Sequence, residues 1–382
     1  MKNPSIRVKW SSAACDLSGY ASASRNYVHS LLDNKIDVSL DIQSFEPWAP
    51  QHLKDEVMGR RLYSVVGVDN GAKVHVIHHT PDQMDRYIDS PMKKVSLFAW
   101  ETNKIPAYWV QKLNSIPNEV WVPSQYIKDA CLNSNVTTPV YVVPHAIPLP
   151  SDNYCSVSRL KGINPDHFNF YSIFQFSERK NPLGLLQAYM EEFSRDEAVT
   201  LIIKCYRRND ETGERNYVRR KISEMKRSTK GMNSPRILLI EGFLTPREMT
   251  DLHYHGDCNI TMTRSEGFGL PTFEAMAFGN PVIAPNYSAF KDFLNNDVAY
   301  LVDTPKEINV SGMGHISVLY SQDMLWGDPD IEHCKQIMRF VYENRDDCRD
   351  KGLMGKNFVK NNFSRLQIGK IMKQRIEGLA NE

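Results

Sequence analysis

The stretch Arg264-Ser-Glu-Gly-Phe-Gly-Leu-Pro-Thr-Phe-Glu-Ala-Met-Ala-Phe-Gly279, continuing into Asn280-Pro-Val-Ile-Ala284, decides the fold of this chain. It reads as the end of a strand, a glycine turn, a helix, a stop and a second strand. Just upstream, Cys258-Asn-Ile-Thr-Met-Thr263 alternates apolar and polar residues with the period of two that marks a strand. Gly267 and Gly269 flank Phe268, so the backbone there can turn sharply and approach a ligand closely. Pro271 and Thr272 suit a first helical turn, Gly279 is a natural C-terminal stop, and Pro281 prevents the helix from resuming. Strand, glycine turn and helix together aim backbone N–H groups and the positive end of a helix dipole at one spot, which suits a phosphate or diphosphate.

Two carboxylates bracket that spot. Glu266 sits in the turn, where it can face a ligand, and Glu274 lies about one turn into the helix. A carboxylate at the second position would repel a phosphate, so its expected role is to accept hydrogen bonds from hydroxyls such as those of a ribose. The spacing alone also describes a loop and core helix with two solvated glutamates. The residues between are more specific. Glu-Gly-Phe-Gly-Leu-Pro-x-x-Glu-Ala-Met-Ala-x-Gly-x-Pro-Val-Ile-Ala resembles the donor-binding signature of the family-four glycosyltransferases, retaining enzymes with two facing Rossmann-like domains, the GT-B fold.

At 382 residues the chain is too long for one ordinary core, and two domains of about 150–200 residues are expected. Its 41% hydrophobic and 24% charged content is that of a globular protein, and a net charge of +1 creates no whole-molecule field towards nucleic acid or membrane. The seven cysteines include no Cys-x-x-Cys pair, which points to free thiols in a reducing compartment and away from zinc. No apolar run approaches about 18 residues and no signal peptide is evident, so a cytoplasmic location is expected. Peripheral attachment to a membrane face needs only a surface patch and stays open.

The N-terminal half alternates strands, at 6–10, 38–42, 74–78, 95–100, 119–124 (ending in a turn) and 140–146, with loops and helices. The first strand is followed by a small-residue loop containing Gly19, and Gly19-Tyr-Ala-x-x-x-Arg25 resembles the family's first glycine loop, beside donor phosphates and acceptor. His78-His79 would close a strand; a metal site there lacks a third ligand at useful spacing, so a structural role is expected. Trp100-Glu101-Thr102 stands where many relatives carry a sugar-contacting histidine, which makes Glu101 a candidate cleft residue. Trp-Val-Pro-Ser124 and Val-Val-Pro-His145 resemble family landmarks, although Ala146 replaces the usual glycine. Ser124 is expected to cap the helix that follows it.

Pro148, Pro150 and a run of Ser, Asn and Asp read as a linker, and an apolar strand at 168–176 restarts the pattern. Arg179-Lys-Asn-Pro182 then places two cations before a helix, against its dipole, a conflict that a bound diphosphate would resolve. Lys180 matches the family's phosphate-gripping lysine. The arginine usual about five residues earlier is absent, with Gln175 near that place, and Arg179 is the expected substitute. Between 204 and 230 Lys and Arg outnumber Asp and Glu, which suits a solvated helix or a positive surface for an anionic acceptor. Asp328-Pro-Asp330 has the metal-holding Asp-x-Asp spacing, but Asp330 precedes a helix and is expected to be its N-cap.

The organisation expected is an α/β chain of GT-B architecture. It comprises an acceptor-side Rossmann-like domain at 1–150, a linker at 151–165, a donor-side domain at 166–360, and a C-terminal helix at 361–382 crossing back to the first. The resemblance implies transfer of a sugar from a nucleotide-diphosphate donor, most readily a UDP- or GDP-sugar, to an acceptor hydroxyl, with retention and without metal. It implies Lys180, Arg179 and the backbone of Gly267, Phe268, Gly269, Leu270, Pro271 and Thr272 around the diphosphate, Glu274 on the ribose, and Glu266 on the sugar. Gly19 and Glu101 would come from the first domain, with Glu266, Lys180 and Glu101 as the candidate catalytic set. A glycan or lipid-linked sugar is the implied acceptor. A hydroxymethylated DNA base is an alternative prompted by the basic segment, and a non-catalytic nucleotide-sugar-binding protein is the alternative outside enzymes.

Overall fold

The structure, a computed structural model, describes residues 6–43, 51–151, 160–207, 211–230, 233–310 and 319–382. The chain forms two units: Met1–Pro148 with Val310–Leu325 and Asn361–Glu382, and Leu149–Asn309 with Trp326–Lys360.

In the first unit, strands β1 (Arg7–Ser12), β2 (Asp37–Ile42), β3 (Val74–His78), β4 (Lys93–Leu97), β5 (Glu119–Val122) and β6 (Val140–Val142) form one sheet in the order β2-β1-β3-β4-β5-β6. Every neighbour is parallel. Parallel sheets need helices on both faces, and the strands accordingly lack a polar side: all of β3 and all of β5 are buried. The C-terminal helix Arg365–Asn381 packs along the helix Gly19–Asp33. A Cβ on Gly369 would lie 2.0 Å from Asn34 Nδ2 and 2.3 Å from the Ser30 carbonyl oxygen, so only glycine permits this approach. Arg375 fixes the other end of that helix by pairing with Glu119, a buried carboxylate that also accepts from Trp121 Nε1 at 2.8 Å.

The second unit repeats the plan. Strands β7 (Phe168–Gln175), β8 (Val199–Tyr206), β9 (Arg236–Glu241), β10 (Cys258–Ile260), β11 (Val282–Pro285) and β12 (Tyr300–Val302) pair in parallel in the order β12-β11-β10-β7-β8-β9. The chain lays strands outward from β7 on one side, then returns to lay β10 on the other. The loops leaving β7 and β10 therefore diverge around a topological switch point, where doubly wound sheets leave room for a ligand.

Strand β10 is shorter than its alternation suggests. It ends at Ile260, because Thr263 leaves the ladder and places its hydroxyl 3.2 and 3.1 Å from the Arg179 and Ser265 carbonyl oxygens. Similarly β4 ends at Leu97, and the Trp100 indole N–H donates back to Thr102 Oγ1 at 2.7 Å and the Lys104 carbonyl at 2.6 Å. In both places the chain exchanges ladder bonds for side-chain bonds that shape the following loop. The six described cysteines are free thiols, five of them buried; Cys155 and most of the expected linker lie outside the described residues.

Candidate functional site

Two loops meet at the switch point of the second unit. The first leaves β7 through a single 3-10 turn, Glu178–Lys180. Asn181 then adopts the left-handed conformation (φ 49°) and caps the helix Pro182–Glu192, its side chain accepting from the Gly184 N–H at 3.2 Å. From this turn Arg179 and Lys180 reach Ser265 and Glu266 on the loop after β10. The second loop leaves β10 through Arg264-Ser265-Glu266 and enters the helix Leu270–Phe278 at Gly269. Gly269 has φ 97°, and a Cβ there would lie 2.4 Å from the Phe290 ring, so this turn requires glycine for both conformation and space.

Backbone clips join the two loops. The Arg264 N–H donates to the Arg179 carbonyl at 2.7 Å, and the Arg264 guanidinium donates to the Glu178 carbonyl at 2.7 Å. Arg179 Nη1 donates to the Ser265 carbonyl at 2.7 Å, and the Glu266 N–H donates to Ser288 Oγ at 2.9 Å. Glu266 is thereby buried between two cations: Lys180 Nζ bonds Oε1, and Arg179 Nη1 lies 3.3 Å from Oε2. Burial raises the Glu266 pKa, but Lys180 first and Arg179 second outweigh it and hold the carboxyl below its usual range. The carboxylate is ionised because the cations are there.

Beneath the loop lies a water-sized cavity of about 10 Å³, lined among others by Ile173, Lys180, Glu266, Gly269 and Thr272. Pro271 has no N–H and the Thr272 N–H donates to the Gly269 carbonyl at 3.0 Å, so the donors offered at the helix start narrow to Gly269 and Leu270. Glu274 is half-buried on the same helix. The second unit therefore gathers Arg179, Lys180, Glu266 and the 267–272 backbone into one cluster at a helix start, a place that suits an anion.

Gly19 and Glu101 belong to the first unit. Gly19 opens the helix Gly19–Asp33 under a Ser18 cap, and its neighbour Tyr20 is half-buried with its hydroxyl enclosed and its phenol pKa raised, by desolvation above all and further by the Glu101 carboxylate. These two candidates therefore share a neighbourhood at the carboxyl ends of β1 and β4. His78 is fully buried among the Tyr20, Trp10 and Tyr27 rings, with centroids at 4.5, 5.9 and 5.6 Å, a packing role for this histidine. Among the described residues no group of three His, Cys, Asp or Glu could hold a metal ion. No described helix is long and apolar enough to cross a membrane.

The basic segment forms the helix Thr212–Thr229, and much of its charge is neutralised locally. Arg207 pairs with Glu214, Arg219 with Glu241, and Lys221 with Glu224, while Lys230 donates to the Glu191 and Phe193 carbonyls. Asp330 is an N-cap, accepting from the His333 N–H at 3.0 Å, and Asp328 lies 3.9 Å from Arg264. Ser124 caps its helix through the Ile127 N–H. Sequence reasoning missed Arg264, Thr263 and Ser288, whose roles depend on loops far apart in the chain. Asn181 was legible in principle, since Asn before Pro is a helix-start signal.

Residues 159–311 match the family model described as Glycosyl transferases group 1. A curated relative, ORF313 of Acidianus filamentous virus 1 (isolate United States/Yellowstone), carries a provisional glycosyltransferase name and is 27% identical over 122 residues, 32% of this chain. The match spans 37% of that relative's length. Among solved structures, Anabaena HepE in complex with UDP and glucose superposes with a TM-score of 0.64 at 11% identity, covering 98% of this chain and 100% of that one. Sucrose-phosphate synthase from Thermosynechococcus elongatus gives 0.67 at 13% identity, covering 98% and 99%. At these identities the likeness is one of fold: the two parallel six-stranded sheets are the GT-B α/β architecture.

Proposed function

We propose that this chain, which matches glycosyl transferases group 1 over residues 159–311, transfers a sugar from a nucleotide-diphosphate donor to an acceptor hydroxyl. The observation that carries the reading is Glu266, buried and ionised between Lys180 and Arg179 beside the Gly269 helix start. Two cations and a helix start at one switch point suit a diphosphate, and a carboxylate among them suits the hydroxyls of an attached sugar. The matched family and the fold neighbours support the same reading.

In this scheme the donor diphosphate draws Lys180 and Arg179 towards itself, and Glu266 turns its acceptor oxygens to the sugar ring. Glu274, one turn into the helix, accepts from the ribose hydroxyls. Breaking the sugar C1–O bond develops negative charge on the leaving diphosphate. The two cations and the Gly269 and Leu270 N–H groups stabilise that charge without waiting for solvent to reorganise, which is commonly the largest contribution to the rate. These groups make a divalent metal unnecessary in the scheme. Transfer is with retention, and the acceptor is a glycan or lipid-linked sugar. The ion pairs Arg207–Glu214, Arg219–Glu241 and Lys221–Glu224 along the Thr212–Thr229 helix leave the DNA acceptor without a structural argument.

The test is nucleotide release and sugar transfer across UDP-, GDP-, ADP- and TDP-sugars, with and without EDTA, beside Lys180→Ala and Glu274→Ala. Turnover with one donor, indifferent to EDTA and lost in both variants, is expected. Neither binding nor turnover across the panel would overturn the reading in favour of a non-catalytic role. Anomeric configuration of the product, read by NMR, decides retention.

A further inference from the structure

Four non-glycine residues among those described have positive φ: Lys35, Asn135, Asn181 and Ser288. Lys35 and Asn135 follow the C-caps of two helices, and Asn181 is left-handed helical, a region that a side chain can visit. Ser288 is different: its φ of 52° goes with a ψ of −139°, outside the left-handed helical region and free of strain only for glycine. It is buried, at 4% exposure, and the chain on either side pins it. The Asn286 N–H donates to the Val302 carbonyl at 2.8 Å, the Tyr287 N–H to the Pro285 carbonyl at 2.9 Å, and the Lys291 N–H to the Ser288 carbonyl at 3.0 Å. Ser288 also stands just before the helix Ala289–Phe293, where a serine normally caps by accepting from a first-turn N–H. Its side chain makes no such bond and accepts instead from the Glu266 N–H at 2.9 Å, 22 residues away in the chain. The next residue completes the grip, its N–H donating to the Glu266 carbonyl at 3.3 Å. Ser288 thus departs from two local preferences, and both departures serve one contact with Glu266.

We propose that Ser288 is a positioning residue of the sugar-transfer site, its strained turn and its hydroxyl holding the Glu266 loop in register while the cations leave the carboxylate for the donor. The inference rests on the donor reading and adds to it what keeps Glu266 in place. Strained backbone persists only where the surroundings over-determine it, and it gathers at sites where geometry is part of the mechanism. Lys180 and Arg179 hold Glu266 by its side chain. A diphosphate that draws them away loosens that hold just when the carboxylate must meet the sugar. The bonds from residues 288 and 289 grip the Glu266 backbone instead, so they do not compete with the donor for the cations. A group displaced by as little as about 1 Å can cost about 100-fold in rate, so a fixed loop matters more for the transition state than for binding. Glycine at 288 would make the turn without strain but could not supply the hydroxyl, which is the reason for a serine here.

The test compares wild type with Ser288→Gly and Ser288→Ala. It combines thermal melting, steady-state kinetics with the donor that turns over, calorimetric binding of that donor's nucleoside diphosphate, and hydrogen–deuterium exchange of the 264–272 segment. Glycine relieves the strain as it removes the hydroxyl, so this variant is expected to melt near wild type. It should bind the nucleotide within about twofold, because Lys180 and Arg179 are untouched. Its kcat is expected to fall about 10- to 100-fold at nearly unchanged donor KM, with faster exchange in the 264–272 segment. Ser288→Ala keeps the strain and loses the same hydroxyl, and should show that kcat loss together with a lower melting temperature. A glycine variant with the kcat of wild type, or with unchanged exchange, would overturn the inference, since the hydroxyl would then hold nothing that the reaction needs. A loss of nucleotide affinity matching the loss of kcat would also overturn it, by placing Ser288 on the phosphates. If wild type turns over no donor, the donor reading falls whatever the exchange shows, and the role in transfer falls with it.

Discussion

Glu266 shows how far a single residue can depend on its neighbours. Its position in the glycine turn was legible in the sequence, as was the lysine at 180. What the sequence did not carry is that both cations close on that one carboxylate. Replacing Lys180 by alanine removes the nearer cation, and kcat/KM is expected to fall by about 100- to 1,000-fold, the usual loss of one charge-stabilising donor. Steady-state kinetics with the identified donor checks this; a loss below about tenfold would move the diphosphate elsewhere. Gly269→Ala combines a positive φ with a Cβ driven into the Phe290 ring, and a destabilisation of about 1–3 kcal/mol or more is expected by denaturant melting.

Among elements, the C-terminal helix Arg365–Asn381 was expected to return to the first domain only because the chain resembles a family. The described structure gives physical reasons for its seat in the first unit. Gly369 admits the backbone of the Gly19–Asp33 helix, Arg365 donates to Asn26 Oδ1 at 2.7 Å, and Arg375 pairs with the buried Glu119. Arg375→Ala would strand that carboxylate, and a loss of about 3–5 kcal/mol is expected in urea unfolding. The double variant Glu119→Gln/Arg375→Met should recover most of it, because an uncharged pair no longer needs the compensation. Equal losses in the single and double variants would show that the pair is not coupled. The strands illustrate the opposite case. Near-continuous apolar runs such as β8 were legible by composition alone, whereas the ends of β4 and β10 were not, since both are set by side-chain bonds to residues outside the strand.

At the scale of the whole molecule, buried histidines couple stability to pH. Burial first of all lowers His75, His79 and His253 to about 4 and His145 to about 3, from 6.5. These groups are neutral in the folded chain and take up protons on unfolding below pH about 6.5, so the unfolded state binds more protons there and stability falls as pH falls. The loss accumulates down to the folded values near 4. Glu266, held low, adds a loss beginning near its ordinary value and continuing as pH falls through the folded one. Melting temperature at constant ionic strength should therefore drop steadily between pH 7 and 4.5. A flat profile across that range would mean that the histidines are not held neutral. Substituting His253, which shares a 2.9 Å hydrogen bond with Tyr171, by asparagine should flatten part of the slope.

Local chemistry explains what the sequence by itself determined: two runs of strand and helix, a glycine turn that must stop one element and start another, and the residue types of the candidate site. Each of these is encoded within a few consecutive residues, by glycine and proline conformation, by apolar period and by capping. The tertiary structure alone decided which distant loops meet. Strand order sets Arg179 and Lys180 against Glu266, some 86 residues apart in the chain, and sets Lys204 beside Ile173 across a sheet ladder. No local pattern encodes such pairs, because they follow from the order in which parallel strands are laid beside β7, and that order is a property of the packed sheet.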